Sequence, residues 1–185
     1  MPPSAEPSLQ TYAQHVIRRL EQQGPGPVFG YSMGGYVALM VAAQRPDLVT
    51  RVMTLATKFT WHAEEGKKQV SRLDPDVMEA KVTAYAAYLN SLHTERSWKD
   101  VVRDTAKVLE QLSANPPLQP EVLSSIAMPC TIALGEEDTM VTREESEAAA
   151  NLIPGARFEL WPGVPHPLER VPAEPLSVGV VRFLS

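Results

Sequence analysis

Three residues in this chain could together carry nucleophilic chemistry: Ser32 in Gly30-Tyr31-Ser32-Met33-Gly34, Asp138 in Gly135-Glu136-Glu137-Asp138-Thr139, and His166 in Pro162-Gly163-Val164-Pro165-His166-Pro167. A serine between glycines at two-residue spacing, after a short apolar run and before a helical segment, suits a sharp strand-to-helix turn with the hydroxyl aimed outward. Side chains at Gly30 and Gly34 are expected to collide in such a turn. The N–H groups that open the following helix would face a reacting carbonyl, where the positive end of the helix dipole favours an oxyanion. A glycine-rich turn with an incidental serine is the plainer alternative.

A serine hydroxyl is a poor nucleophile until a base takes its proton, and the base needs an acid behind it to fix its tautomer. Asp138 and His166 each follow an expected strand, so they fall on the same sheet edge as Ser32. Glu136 and Glu137 could serve in place of Asp138, or all three could form a solvated acidic turn. His15, His62 and His93 carry no motif, although His62 in Lys58-Phe59-Thr60-Trp61-His62 follows a strand and is expected to border the site, with Phe59 and Trp61 as pocket wall. No histidine pair has metal-ligand spacing, so no metal is implied.

The elements that must position these residues follow from periodicity. Leu9, Ala13, Val16, Ile17 and Leu20 recur at helical spacing between a Ser8 cap and a Gly24 stop. Strands are expected at 27–31, 49–56, 129–134 and 156–161, and helices at 34–44, 121–126, 142–152 and 173–184. That alternation implies a parallel α/β sheet of about four strands with helices on both faces. Residues 58–117 interrupt it with two helical stripes, one from Met78 to Leu92 and one from Trp98 to Leu112. They read either as a helical cap inserted in one domain spanning 1–185, or as ordinary core helices.

A length of 185 residues suits one domain. A net charge of −5 without a basic cluster gives no footprint for nucleic acid, and no apolar stretch is long enough to span a bilayer. The first residues lack the basic and apolar segments of a secretory signal, so a cytoplasmic location is expected. Cys130 is single and lies in an apolar run, which suits a buried hydrophobe rather than a nucleophile.

The order Ser32, Asp138, His166, with Gly30-Tyr31-Ser32-Met33-Gly34-Gly35, Gly135 to Val141 and Gly163 to Glu169, resembles the α/β-hydrolase superfamily over nearly the whole chain. The resemblance implies Ser32 as nucleophile, His166 as general base, Asp138 as orienting acid and the Met33 N–H as an oxyanion donor. Tyr31, Phe59 and Trp61 would then line a small-molecule substrate site, and no cofactor is implied. A serine esterase working through an acyl-serine is the expected function. The alternatives are a catalytically weak or inactive homologue acting as a binding or assembly module, and a cofactor-free lyase or peroxidase using the same three residues.

The family's usual fold has several strands before the nucleophile strand, and a loop after one of them supplies a second oxyanion donor. Only 31 residues precede Ser32 here, so that donor is unassigned. A longer parent protein, a completing partner chain, or a relic triad would each account for this. With the nucleophile strand paired on one side, a homodimer is expected through that strand's edge or through the Ser8 to Gln23 helix.

Overall fold

A computed structural model of the chain describes residues 6–184. The described residues divide into two compact units, 12–60 with 117–184, and 6–11 with 61–116.

In chain order the elements are α1 (Leu9–Gln23), β1 (Gly26–Tyr31), α2 (Met33–Gln44), β2 (Val49–Leu55), α3 (Ala63–Val70), α4 (Pro75–Lys81), α5 (Thr83–Leu92) and α6 (Trp98–Ala114). They continue as α7 (Pro120–Ser124), β3 (Cys130–Glu137), α8 (Arg143–Leu152), β4 (Arg157–Pro165) and α9 (Ala173–Leu184). The four strands form one parallel sheet in the order β1-β2-β3-β4, which places Gly30 beside Thr54 and Thr54 beside Ile132.

Strand alternation divides the sheet residues between two faces. Met53, Leu55, Ala133 and Trp161 share one face with Val164, and Leu176 and Phe183 of α9 pack against them. Gly179 allows that close approach, since a Cβ there would lie 2.3 Å from the Trp161 ring. On the other face α2 presses so closely that a Cβ on Gly35 would fall 2.9 Å from the Thr54 Cβ. The α2 residues from Gly35 to Ala42 are all buried. This all-round burial suits a helix rich in Ala, Val and Leu with little amphipathic character.

Caps fix the helix ends where the sequence marks them. Ser8 Oγ accepts the Thr11 N–H at 3.0 Å, and Gly24, with φ of 89°, ends α1 by donating to the Leu20 carbonyl at 2.8 Å. Thr142 and Glu145 form a reciprocal capping box on α8.

The helical unit departs from expectation in two places. The stripe from Met78 to Leu92 is not one helix: Val82, at φ −130° and ψ 52°, ends α4 and starts α5. The polar α3 was not expected, and His62 serves as its N-cap, its Nδ1 accepting from the Glu65 N–H at 3.3 Å. Gly66 lets α3 sit on α6, where a Cβ would lie 2.1 Å from Ser113 Oγ. Met78, Ala86, Trp98 and Val102 form this unit's buried cluster, with Leu73 and Leu89 against it. No helix among the described residues is long and apolar enough to cross a membrane.

Candidate active site

Each strand of the sheet delivers a polar residue just past its C-terminal end: Ser32 after β1, Thr57 after β2, Asp138 after β3 and His166 after β4. Parallel strands bring these positions to one edge.

Ser32 has φ 51° and ψ −122°, outside the regions that residues with side chains ordinarily occupy. Holding it there costs on the order of 1–3 kcal/mol, which the surroundings must offset. Its N–H donates to the Leu55 carbonyl at 2.8 Å, and its own carbonyl accepts from Thr57 Oγ1 at 2.9 Å and from the Gly35 N–H at 3.0 Å. Gly30 is required by sterics, because a Cβ would come within 2.4 Å of the Gly34 carbonyl oxygen. Gly34 is not, since nothing lies within 4 Å of where its Cβ would be. The second steric glycine is Gly35, whose Cβ would meet Thr57 Oγ1 at 2.0 Å.

His166 reaches Ser32 because β4 outruns its expected end and bulges. Gly135 pairs with Trp161 while Glu137 pairs with Pro165, so three β4 residues stand opposite one of β3. Gly163 turns the bulge at φ 68°, and Gly135 accepts the bulge's return, since a Cβ there would be 2.0 Å from the Val164 carbonyl oxygen. Bulges of this kind re-aim side chains beside functional sites.

His166 Nδ1 lies 2.8 Å from Asp138 Oδ2, and His166 Nε2 lies 3.3 Å from Ser32 Oγ. A carboxylate only accepts, so Nδ1 carries the imidazole proton and the Nε2 lone pair faces the serine hydroxyl. Asp138 is fixed in turn, its side chain fully buried and its Oδ1 accepting from the Met140 and Val141 N–H groups at 2.8 and 2.9 Å. Glu136 and Glu137 are exposed and take no part in this hydrogen-bonded group.

Tyr31 donates its hydroxyl to the His166 backbone carbonyl, and the two rings stand 5.7 Å apart. Met33 is the first residue of α2, so its N–H has no partner one turn earlier in the helix. Phe59 is half-buried on the segment after β2. That segment is tied to α8 by Glu145, whose Oε2 accepts the Thr60 N–H at 2.9 Å and whose Oε1 lies 3.5 Å from Lys58 Nζ. Trp61 opens the helical unit and is described with it.

Thr57 and Ala56 belong to the site and have no place in the sequence motif. A cavity of about 590 Å³ lies away from Ser32, where Arg51, Cys130, Arg157 and Arg182 line the N-terminal ends of the strands. Burial pushes the Cys130 thiol up to about 12 and leaves it a protonated, inert hydrophobe. No cluster of three or more histidine, cysteine or carboxylate side chains able to hold a metal occurs among the described residues.

No curated protein matches the chain. Among solved structures, the chain is similar to NosK from Streptomyces actuosus at 23% identity, covering 97% of this chain and 77% of that one with a TM-score of 0.77. It is also similar to a thermophilic esterase from Thermogutta terrifontis (18% identity, 96% and 72% covered, TM-score 0.69). A bromoperoxidase from Bacillus anthracis has the same fold (18% identity, 100% and 76% covered, TM-score 0.70). At these identities the likeness speaks for the fold alone. A model of the alpha/beta hydrolase family matches residues 2–176, and with the four-stranded parallel sheet and its strained serine turn the chain belongs to that family.

Proposed function

We propose that the protein is a serine hydrolase that cleaves acyl esters or related carbonyl compounds through an acyl-serine intermediate. The observation that carries this reading is the unbroken relay from Asp138 Oδ2 through His166 to Ser32 Oγ, with the serine on a strained turn at a helix start. In this reading Ser32 Oγ attacks the substrate carbonyl while His166 Nε2 takes its proton, and Asp138 stabilises the imidazolium. The Met33 N–H donates to the oxyanion. His166 returns the proton to the departing alkoxide, and water then releases the acid by the same steps in reverse order. Every proton and electron pair is accounted for by these residues, the ester and water.

Short-chain p-nitrophenyl esters suit the test, because their good leaving groups demand less oxyanion stabilisation than an amide does. The wild-type protein is expected to hydrolyse them without added metal, and Ser32→Ala to be inactive. Equal rates for both would exclude the reading.

A second reading, a weakly active or inactive module that assembles with a second copy, draws on another observation. Among the described residues β1 pairs only with β2, and no charged residue occurs in Gly26–Tyr31. An edge of this kind is a template for a further strand. The proposed dimer forms through this edge or through α1.

A further inference from the structure

We propose that Thr57 is a positioning residue for the nucleophile: its hydroxyl, delivered by a left-handed turn at Ala56, clamps the Ser32 carbonyl and thereby keeps the Ser32 hydroxyl on His166. The inference rests on the reading of Ser32 as nucleophile.

The backbone of Ser32 is anchored to the end of β2 from both sides of the residue. Its N–H is held by the Leu55 carbonyl at 2.8 Å and its carbonyl by Thr57 Oγ1 at 2.9 Å. The other donors to that carbonyl, the N–H groups of Gly35 at 3.0 Å and Tyr36 at 3.4 Å, belong to α2 and move with it. The threonine hydroxyl, by contrast, fixes the turn to the sheet.

In a regular parallel ladder two residues flanking a neighbour's partner serve its N–H and C=O through their own backbones; here Leu55 does so, and Thr57 offers its side-chain hydroxyl instead. Between them Ala56 leaves the extended conformation, turning left-handed at φ 57°, and the side chain of Thr57 rather than its N–H reaches the Ser32 carbonyl. Ala56 is held there from the other side, since its N–H donates to the Ala133 carbonyl on β3 at 3.0 Å. Thr57 is 1% exposed, so water does not replace its hydroxyl as donor. Gly35 completes the fit, because any side chain there would displace that hydroxyl.

A neighbouring threonine supplies the control. Thr54 is fully buried and its Oγ1 has no hydrogen-bond partner among the described residues. Valine matches threonine in shape and lacks only the hydroxyl, so Thr57→Val and Thr54→Val remove the same group from two buried sites, one where it bonds and one where it does not.

The experiment compares p-nitrophenyl acetate hydrolysis by wild type, Thr57→Val, Thr57→Ser and Thr54→Val, with crystal structures of wild type and Thr57→Val. We expect Thr57→Val to lower kcat about tenfold with KM unchanged, the scale of one buried hydrogen bond. Thr57→Ser is expected to recover most of that loss, and Thr54→Val to lose less than about twofold. In the Thr57→Val crystal, Ser32 should leave its left-handed conformation or its Oγ should move away from His166. Wild-type kcat in Thr57→Val overturns the proposal, as does a loss that Thr57→Ser fails to recover. If the wild type hydrolyses no ester, the serine hydrolase reading fails, and the crystals still decide on the clamp: an unmoved Ser32 in Thr57→Val overturns it, a relaxed one supports it.

Discussion

At the scale of residues, the acid is the assignment that mutation can separate most sharply. Asp138 is buried, bonded to His166 and held by two backbone N–H groups, whereas Glu136 and Glu137 stand in solvent. Asp138→Asn would present a donor where Nδ1–H needs an acceptor, favouring the tautomer whose Nε2 cannot take a proton. Ester hydrolysis should fall by about 10⁴ in kcat, as for the equivalent change in a serine protease, while Glu136→Gln and Glu137→Gln should stay within about twofold. A silent Asp138→Asn beside an impaired glutamine variant would move the acid role to the neighbour. Tyr31, expected from the sequence as a substrate contact, spends its hydroxyl on the His166 carbonyl, so its first task is to hold the histidine loop.

At the scale of elements, the turn after β1 was legible in its composition and was misread in one detail. The motif's second glycine, Gly34, has open space around it, and the close approach of α2 to the sheet falls on Gly35. The pattern offers both Gly34 and Gly35 for close packing on the sheet and does not tell which one meets it, because the steric demand comes from Thr54 in β2 and Thr57 just after it. Gly35→Ala should therefore destabilise the protein by about 1–3 kcal/mol in denaturant unfolding, the usual cost of overpacking. Gly34→Ala should be neutral or stabilising by up to about 1 kcal/mol, since alanine is the better helix former. The reverse ranking would mean that Gly34, not Gly35, limits the approach of α2. The same limit explains the other misses. β4 runs past Trp161 to Pro165 because a bulge against Gly135 keeps it paired, and no local run of apolar residues announces that. Ala56 and Thr57 bear no sequence mark, as their roles arise from contacts with β1 and β3. The break at Val82 has no glycine or proline to signal it, only adjacent β-branched residues of lower helix propensity.

At the scale of the whole molecule, the chain order Ser32, Asp138, His166 and the alternation of strands and helices carried the fold, because a parallel sheet with helical crossovers leaves few alternatives. The open side of β1 is the feature with consequences for assembly. If a second copy covers it, light scattering coupled to size exclusion should give twice 20.3 kDa at micromolar concentration. A mass of one chain under those conditions would rule out the dimer.

An activated nucleophile at Ser32 is expected to show in the intact mass of the folded protein after exposure to a fluorophosphonate. The serine oxygen displaces fluoride from phosphorus and retains the phosphonyl group, which no further step removes quickly. One adduct per chain is expected, mapped by peptide sequencing to Ser32 and absent from Ser32→Ala. A folded wild-type protein that takes up no reagent, or an adduct that persists in Ser32→Ala, would contradict an activated nucleophile at Ser32.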